Sequence, residues 1–366
     1  MSEKLGLYIH IPFCKQKCLY CDFFSGKADG SEYDGYVDEL KNKIEFWSRQ
    51  TDKKLTSVYF GGGTPSIMGS ERLCDVLYSV KSHFNVNSDA EITLEVNPES
   101  GKSLDFVKLK KRGFNRISVG MQSADEKELK ALGRIHSTGD VKNTINSAKS
   151  AGINNISVDL MLGIPYQTKE TLKNSIDFCA ECGVTHISSY ILKIEEGTPF
   201  YKNREKLVLP DDDEQAELYL FAVDYLDRLG FKQYEISNFA IPGFESRHNT
   251  SYWKLDEYIG IGPSAHSFFG GKRFYYGRSM KDFIDNKLTD DGTGGTEEEF
   301  IMLSLRLKSG LDFDLYKEKF GKPVADYVIK NTEKYIQMGL MQKSGSSVFF
   351  TPNGFLVSNS IISKLI

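Results

Sequence analysis

The 366-residue sequence holds no apolar run approaching the roughly 20 residues that a membrane-spanning helix requires. The N-terminal stretch LGLYIHIPF is short, is interrupted by His10 and Pro12, and precedes no small-residue cleavage site, so no signal peptide is expected. Excess positive charge is also missing. A formal net charge of −4 gives no footprint for nucleic acid and does not favour an anionic membrane surface. Cysteine is scarce: six residues are unevenly spaced, with three inside eight positions, which argues against a disulfide framework. That clustering points to metal binding in a reducing compartment, so a cytoplasmic location is expected. Neither repeats of solenoid period nor low-complexity tracts occur. What remains is an ordinary globular composition, 40% hydrophobic and 26% charged, long enough for one large domain and a smaller one.

Strand-like and helix-like periods alternate along the first two thirds of the chain. Strands are expected at 5–11, 55–60, 91–96, 116–121, 155–162 and 186–194. Helical spacing follows each, at 36–47, 72–84, 104–113, 125–132 with 140–151, 170–182 and 214–230. Six strand–helix units in series imply a parallel sheet with right-handed crossovers. Six is two short of a closed eightfold barrel, so an incomplete α/β barrel over residues 1–233 is the expected fold. Chemistry in such a sheet belongs at the C-terminal strand ends. Residues 234–290 are dense in aromatics, Gly and Ser, and are expected to be irregular and to line the site. Residues 291–366 are read as a small winged-helix-like α+β module. It would have helices near 297–308, 312–320 and 325–338 and a hairpin turning at Gly345-Ser346.

Three thiols, Cys14, Cys18 and Cys21, follow the first strand in CKQKCLYC. Structural zinc takes four ligands, and a triad of thiolates alone is not a common catalytic zinc set. An iron–sulfur cubane uses one cysteine per iron, so three cysteines leave one iron open to a non-protein ligand. Cys74, Cys179 and Cys182 fall on predicted helices and read as small buried hydrophobes.

Other residues at the strand ends bear on a ligand. Gly61, Gly62 and Gly63 close the second strand in VYFGGGTPS, where glycine permits close approach to the backbone, and Thr64 adds a hydroxyl. Glu95, Gln122 and Asp159 interrupt strands expected to be apolar on both faces. A buried carboxylate needs a partner, and polar groups on three successive strands favour a shared ligand. Arg134 could grip a carboxylate in bidentate fashion.

On these residues the chain resembles the radical S-adenosylmethionine superfamily, and within it the haem-biosynthesis branch. The resemblance implies a [4Fe–4S] cluster on Cys14, Cys18 and Cys21, with S-adenosylmethionine chelating the open iron. It implies cofactor contacts at Tyr8, Tyr20, Gly62, Gly63, Thr64, Glu95, Gln122, Arg134 and Asp159, and at His266 in GPSAHS. His10, in the HIPFC strand, would stand close behind the cluster. His83, His136 and His186 are taken as structural or surface groups.

The branch contains an oxygen-independent coproporphyrinogen III oxidase and a related haem chaperone. The oxidase pattern carries a fourth cysteine where this sequence has Phe23, and a longer segment ahead of its cluster strand. HNTSYW, residues 248–253, matches the HNxxYW signature of the haem-binding group. There His248 offers an imidazole for haem iron, and Tyr252 and Trp253 offer flat faces to a porphyrin. As a bare pattern the hexapeptide reads more readily as a packed aromatic loop, and the resemblance reverses that reading. The expected function is a chaperone that takes haem as cargo and delivers it to haem-requiring apoproteins such as respiratory enzymes, with cluster-dependent homodimerisation. The alternative is radical decarboxylation of coproporphyrinogen.

Overall fold

The computed structural model describes residues 4–366, and the first positions of the segment 1–233 lie outside the described residues. Six parallel strands run in chain order: β1 (Lys4–Ile11), β2 (Lys54–Gly62), β3 (Val86–Val96), β4 (Arg116–Gln122), β5 (Asn155–Leu162) and β6 (His186–Ile191). Crossover helices pack outside them, among them Gly30–Ser48, Gly69–His83, Thr138–Ser150, Lys169–Glu181 and Asp212–Arg228. Several of these helices announce their starts chemically. Asp29 with Glu32, Ser137 with Asp140, and Asp211 with Glu214 form reciprocal capping boxes that satisfy otherwise orphaned N–H groups.

Side chains alternate along most of each of the six strands. One parity is apolar and buried beneath the helices: Leu7 and Ile9, Val58 and Phe60, Ile92 and Leu94, Ile117 and Val119, Ile156 and Val158, Ile187. The other parity is polar: Ser57 and Tyr59, Glu91, Thr93 and Glu95, Arg116 and Ser118, Ser157 and Asp159, His186 and Ser188. The period of two therefore separates an outer hydrophobic layer from a polar concave interior.

The segment 234–290, expected to be irregular, is so in part and also carries short strands and helices. After β7 (Lys232–Gln233) come β8 (Asn238–Ala240), β9 (Tyr258–Ile261), β10 (His266–Phe269), β11 (Lys272–Tyr276) and β12 (Leu288–Thr293). The sheet has the order β12-β11-β10-β9-β1-β2-β3-β4-β5-β6-β8-β7 and does not close. β8 lies antiparallel on β6, whereas β9 lies parallel on β1. The chain between them must therefore cross from one side of the curled sheet to the other. It does so through the helix Arg247–Trp253, which contacts β2 at Ser57 and β3 at Glu91 from the concave side. Short strands rich in Gly and aromatics conceal the alternation that identified the first six.

The C-terminal part has helices Glu297–Ser304, Phe313–Phe320 and Asp326–Gln337, matching the expected three. Its hairpin, β14 (Met341–Ser344) and β15 (Ser347–Phe350), turns at Gly345 with φ 59°, and β13 (Leu311–Asp312) joins it as a third antiparallel strand. Among the described residues no helix is long and apolar enough to cross a membrane.

Candidate functional site

At the C-terminal ends of the strands the loop after β1 carries all three clustered cysteines, and they line one cavity of about 340 Å³. That volume is within the range of small-molecule sites. The loop is fastened at both ends and in the middle. Cys14 N–H donates to Gly26 O at 2.8 Å and Gly26 N–H to Pro12 O at 2.9 Å. Leu19 N–H reaches Leu132 O, and Arg278 binds the Asp22 carboxylate and carbonyl. Among the described residues no three His, Cys, Asp or Glu side chains converge on one metal-ion position. A cubane with one cysteine per iron calls for thiols spread around a cluster rather than gathered on a single ion. Burial pushes the Cys18 and Cys21 thiols up, so thiolates there need a positive partner such as iron.

The glycine run forms a cradle that side chains would fill. A Cβ on Gly63 would lie 2.6 Å from Phe13 O and 2.9 Å from Cys14 Sγ. One on Gly62, whose φ is 114°, would meet His10 at 2.7 Å. Thr64 donates from Oγ1 to Cys14 Sγ at 3.3 Å. It accepts in turn from Asn97 Nδ2 at 3.1 Å, and Asn97 Oδ1 accepts from Arg134 at 3.1 Å. Arg134 also donates to the Tyr20 hydroxyl at 2.9 Å, leaving its buried Nε without a partner. A directed hydrogen-bond chain thus runs from Arg134 to the first cysteine. These features fit a cluster with an open iron and an amino-acid chelator beside the glycines.

Deeper in the cavity, Glu95 accepts from the Tyr59 hydroxyl at 2.8 Å and from Gly62 N–H at 3.2 Å. Burial raises its carboxyl to about 7, opposed mainly by the Tyr59 hydroxyl. Asp159 accepts from Ser118 Oγ at 3.2 Å and is also raised by burial. Gln122 lines the same wall with φ 71°, a strained conformation for a residue with a side chain, beside a register shift between β4 and β5.

The structure therefore gathers Cys14, Cys18, Cys21, Tyr20, Gly62, Gly63, Thr64, Glu95, Gln122, Arg134 and Asp159 around one cavity. Tyr8 stands behind this wall, stacked on Tyr59 with ring centres 6.2 Å apart. His266 does not reach the cavity; it is exposed on β10 and stacked on Tyr275 at 4.7 Å. Gly262 in the same GPSAHS segment packs against His10 O and Tyr36, which is what that turn contributes. Of residues 234–290, only Asn249 borders the cavity. Asn97, Tyr59, Arg116, Ser118, Ser188 and Tyr190 also line it and were not singled out from the sequence. Their common signal is the period of two along β2 to β6.

The HNxxYW residues lie elsewhere than expected. His248 is 1% exposed, with Nδ1 2.8 Å from Ser57 Oγ and Nε2 2.7 Å from the Tyr252 hydroxyl. Burial, aided by the Arg116 charge, pushes its imidazole down to about 3. An axial bond to iron needs a free ring nitrogen, and neither is free in this conformation. Tyr252 packs edge-on against Tyr258 at 4.4 Å, so its own ring is no open porphyrin face in this conformation.

The Radical SAM superfamily profile matches residues 8–179, and the HemN C-terminal domain profile matches residues 298–357. Proteins named heme chaperone HemW are similar over almost the whole length. The one from Bacillus subtilis is 33% identical over 97% of this chain and 97% of its own. The one from Haemophilus influenzae is 38% identical over 98% and 97%. This chain belongs to the HemW family of the radical SAM superfamily. Membership implies a [4Fe–4S] cluster and S-adenosylmethionine. The fold of this HemW-family chain is also that of the Escherichia coli coproporphyrinogen III oxidase HemN, with a TM-score of 0.83 at 22% identity. The match covers 99% of this chain and 89% of that one.

Proposed function

We propose that the protein is a haem chaperone that carries a [4Fe–4S] cluster and S-adenosylmethionine, works in the cytoplasm, and delivers haem to apoproteins such as respiratory enzymes. The observation that carries this reading is the full-length likeness to relatives bearing the chaperone name, joined to Phe23 standing where the oxidase pattern has a fourth cysteine. Residues 1–233 would form the cofactor-binding part, 234–290 the segment bearing the haem motif, and 291–366 the accessory module.

When bound, the cluster supplies an iron that accepts the cofactor's amino and carboxylate groups. Cys14, Cys18 and Cys21 would hold that cluster. Gly62, Gly63 and Thr64 would receive the amino-acid end, Glu95 and Asp159 would accept from ribose or amino hydrogens, and Arg134 would balance the carboxylate. Haem would be held through His248, Tyr252 and Trp253. That role requires His248 Nε2 to exchange the Tyr252 hydroxyl for iron, so the helix Arg247–Trp253 has to shift for cargo to bind.

The test is a haem titration followed by Soret absorbance, comparing wild type with His248→Ala. Equal binding by the two would refute the ligand assignment. Steady formation of protoporphyrinogen from coproporphyrinogen under anaerobic conditions would overturn the chaperone reading in favour of the oxidase. Size-exclusion chromatography of apo and reconstituted protein tests cluster-dependent dimerisation, which an unchanged elution volume would refute.

A further inference from the structure

The helix Arg247–Trp253 is joined to the cofactor cavity through a short series of side-chain contacts. Glu91, 3% exposed on the concave face of β3, accepts from the backbone N–H groups of Arg247 and His248 at 3.0 Å each, anchoring the helix start. The His248 ring stacks on Tyr59 with centres 5.0 Å apart and planes 21° apart. Tyr59 in turn donates to Glu95 Oε1 at 2.8 Å. Ser57 and Tyr252 hold the imidazole at its two nitrogens, so its plane is fixed from both sides. The hydroxyl of a tyrosine lies on the Cβ–Cγ axis, so it moves only when the Cα–Cβ rotamer changes, and packing on the ring faces holds that rotamer. Here the packing that fixes Tyr59 comes from Tyr8 and His248.

We infer that His248 is a positioning residue for the cofactor. Its ring holds Tyr59 in the one orientation that completes the hydrogen bonding of Glu95, so ligation of iron by His248 and occupation of the cavity by S-adenosylmethionine oppose each other. The first half needs only the contacts above. The second half rests on the haem reading, because His248 cannot bind iron through Nε2 and keep Tyr252. Withdrawal of the imidazole leaves one face of Tyr59 unpacked, so its side chain can change rotamer about Cα–Cβ, carry the hydroxyl away and leave one oxygen of a buried carboxylate unpaired, which weakens the site for a ribose. Linkage makes the effect reciprocal: whatever factor haem takes from cofactor affinity, the cofactor takes from haem affinity. The motif thereby acquires a task in the haem-free protein, as support behind the Tyr59 wall of the cofactor cavity.

Calorimetric titration of anaerobically reconstituted protein with S-adenosylmethionine tests the first half without haem. His248→Ala should weaken binding roughly tenfold, within the usual range of such couplings. Tyr59→Phe should weaken it similarly, and adding His248→Ala to Tyr59→Phe should cost nothing more, because both act through one hydrogen bond. His248→Phe, which keeps a flat ring, should recover part of the loss. Tyr252→Phe, a milder change should His248→Ala fold poorly, should give a smaller loss of about threefold or less, as expected for one neutral hydrogen bond. Wild-type affinity in His248→Ala, or a full further loss in the double variant, overturns the proposal. For the second half, titration of the haem-loaded wild type should show weakened cofactor binding. Unchanged affinity there overturns the opposition while leaving the positioning role to the first set of data.

Discussion

Tyr59 and Glu95, inward-facing on neighbouring strands, share a hydrogen bond of 2.8 Å, and among the described residues no cation forms an ion pair with the carboxylate. Burial lifts Glu95 to about 7, so it titrates within the working range of most assays. Only its ionised form would offer both oxygens as acceptors to a ribose hydroxyl. S-adenosylmethionine affinity should therefore rise as pH increases from 6 to 8. Glu95→Gln should flatten that profile and lower affinity at pH 8 by roughly 10- to 100-fold, the worth of a hydrogen bond to a charged group. Arg116, 1% exposed with an unpaired Nε, favours the ionised form of Glu95. Arg116→Met should accordingly move the profile to higher pH. A pH-independent affinity in the wild type would refute this account.

Gly63 sits where the β2 turn touches the cluster loop. An added methyl would fall 2.6 Å from Phe13 O and 2.9 Å from Cys14 Sγ, and both neighbours are tied down by the loop's own hydrogen bonds. Gly63→Ala should therefore displace Cys14 without unfolding the sheet, whose hydrophobic layer lies on the opposite face. After anaerobic reconstitution the variant should hold only a small fraction of wild-type iron and acid-labile sulfide, with an unchanged far-ultraviolet dichroism spectrum. Gly69→Ala is the control, because a Cβ there meets nothing within 4 Å. Its φ of 78° makes it a control for backbone strain as well. Full iron loading in Gly63→Ala would contradict the cradle.

The six strand–helix units were legible because each strand buries an apolar stripe and each helix repeats at 3.6 residues. The sequence also carried the concave face, as alternate polar residues in LTSVYF, EITLEV, RISVGM and NISVDLML. Read as apolar runs with exceptions, those strands yielded Glu95, Gln122 and Asp159 and hid Tyr59, Arg116 and Ser118. Strands β8 to β12 escaped because they are short, and β8 and β9 pair with β6 and β1, which are remote in sequence. His248 shows the limit most sharply. Its spacing to Tyr252 marks one helix face, but its contact with Ser57 spans 191 positions, and only the course of the chain under the sheet decides whether the ring faces solvent or the barrel.

Glu91 tests that course directly. Its carboxylate is the acceptor for two N–H groups and for Ser246 Oγ at 3.4 Å, and it is buried with them. Glu91→Ala leaves those donors unpaired, a loss of about 1–3 kcal/mol for the local structure. Hydrogen exchange of amides 247–253 should quicken in the variant while amides of β2, β4 and β5 stay protected. Equal protection throughout would mean the helix is held by something other than this anchor.

Buried imidazoles weaken the fold in acid. Burial lowers His10 and His136 to about 4 and His248 to about 3, and holds His186 well below its ordinary value. In the unfolded chain each titrates near the ordinary 6.5. A depressed native value means that the unfolded state binds more protons, so the stability these groups contribute is complete above 6.5 and is lost as pH falls towards 4 and 3. Glu95 and Glu235, both raised to about 7, act in the opposite sense, since their native forms take up protons between 7 and the ordinary carboxyl value of 4.5. Asp159, Glu128 and Asp256 are raised by burial as well, and His266 is lowered, so the two sets oppose each other and the imidazole contribution is read from the urea midpoint of an apo histidine variant against wild type. His136 makes the cleanest probe: its Nε2 lies 3.1 Å from Met121 O, a bond a glutamine amide can replace. His136→Gln should therefore keep the pH 7 midpoint nearly unchanged and reduce the slope below pH 6.5 by up to one proton's worth, about 1.36 kcal/mol per pH unit. An identical slope in variant and wild type would show that His136 is already protonated in the native protein.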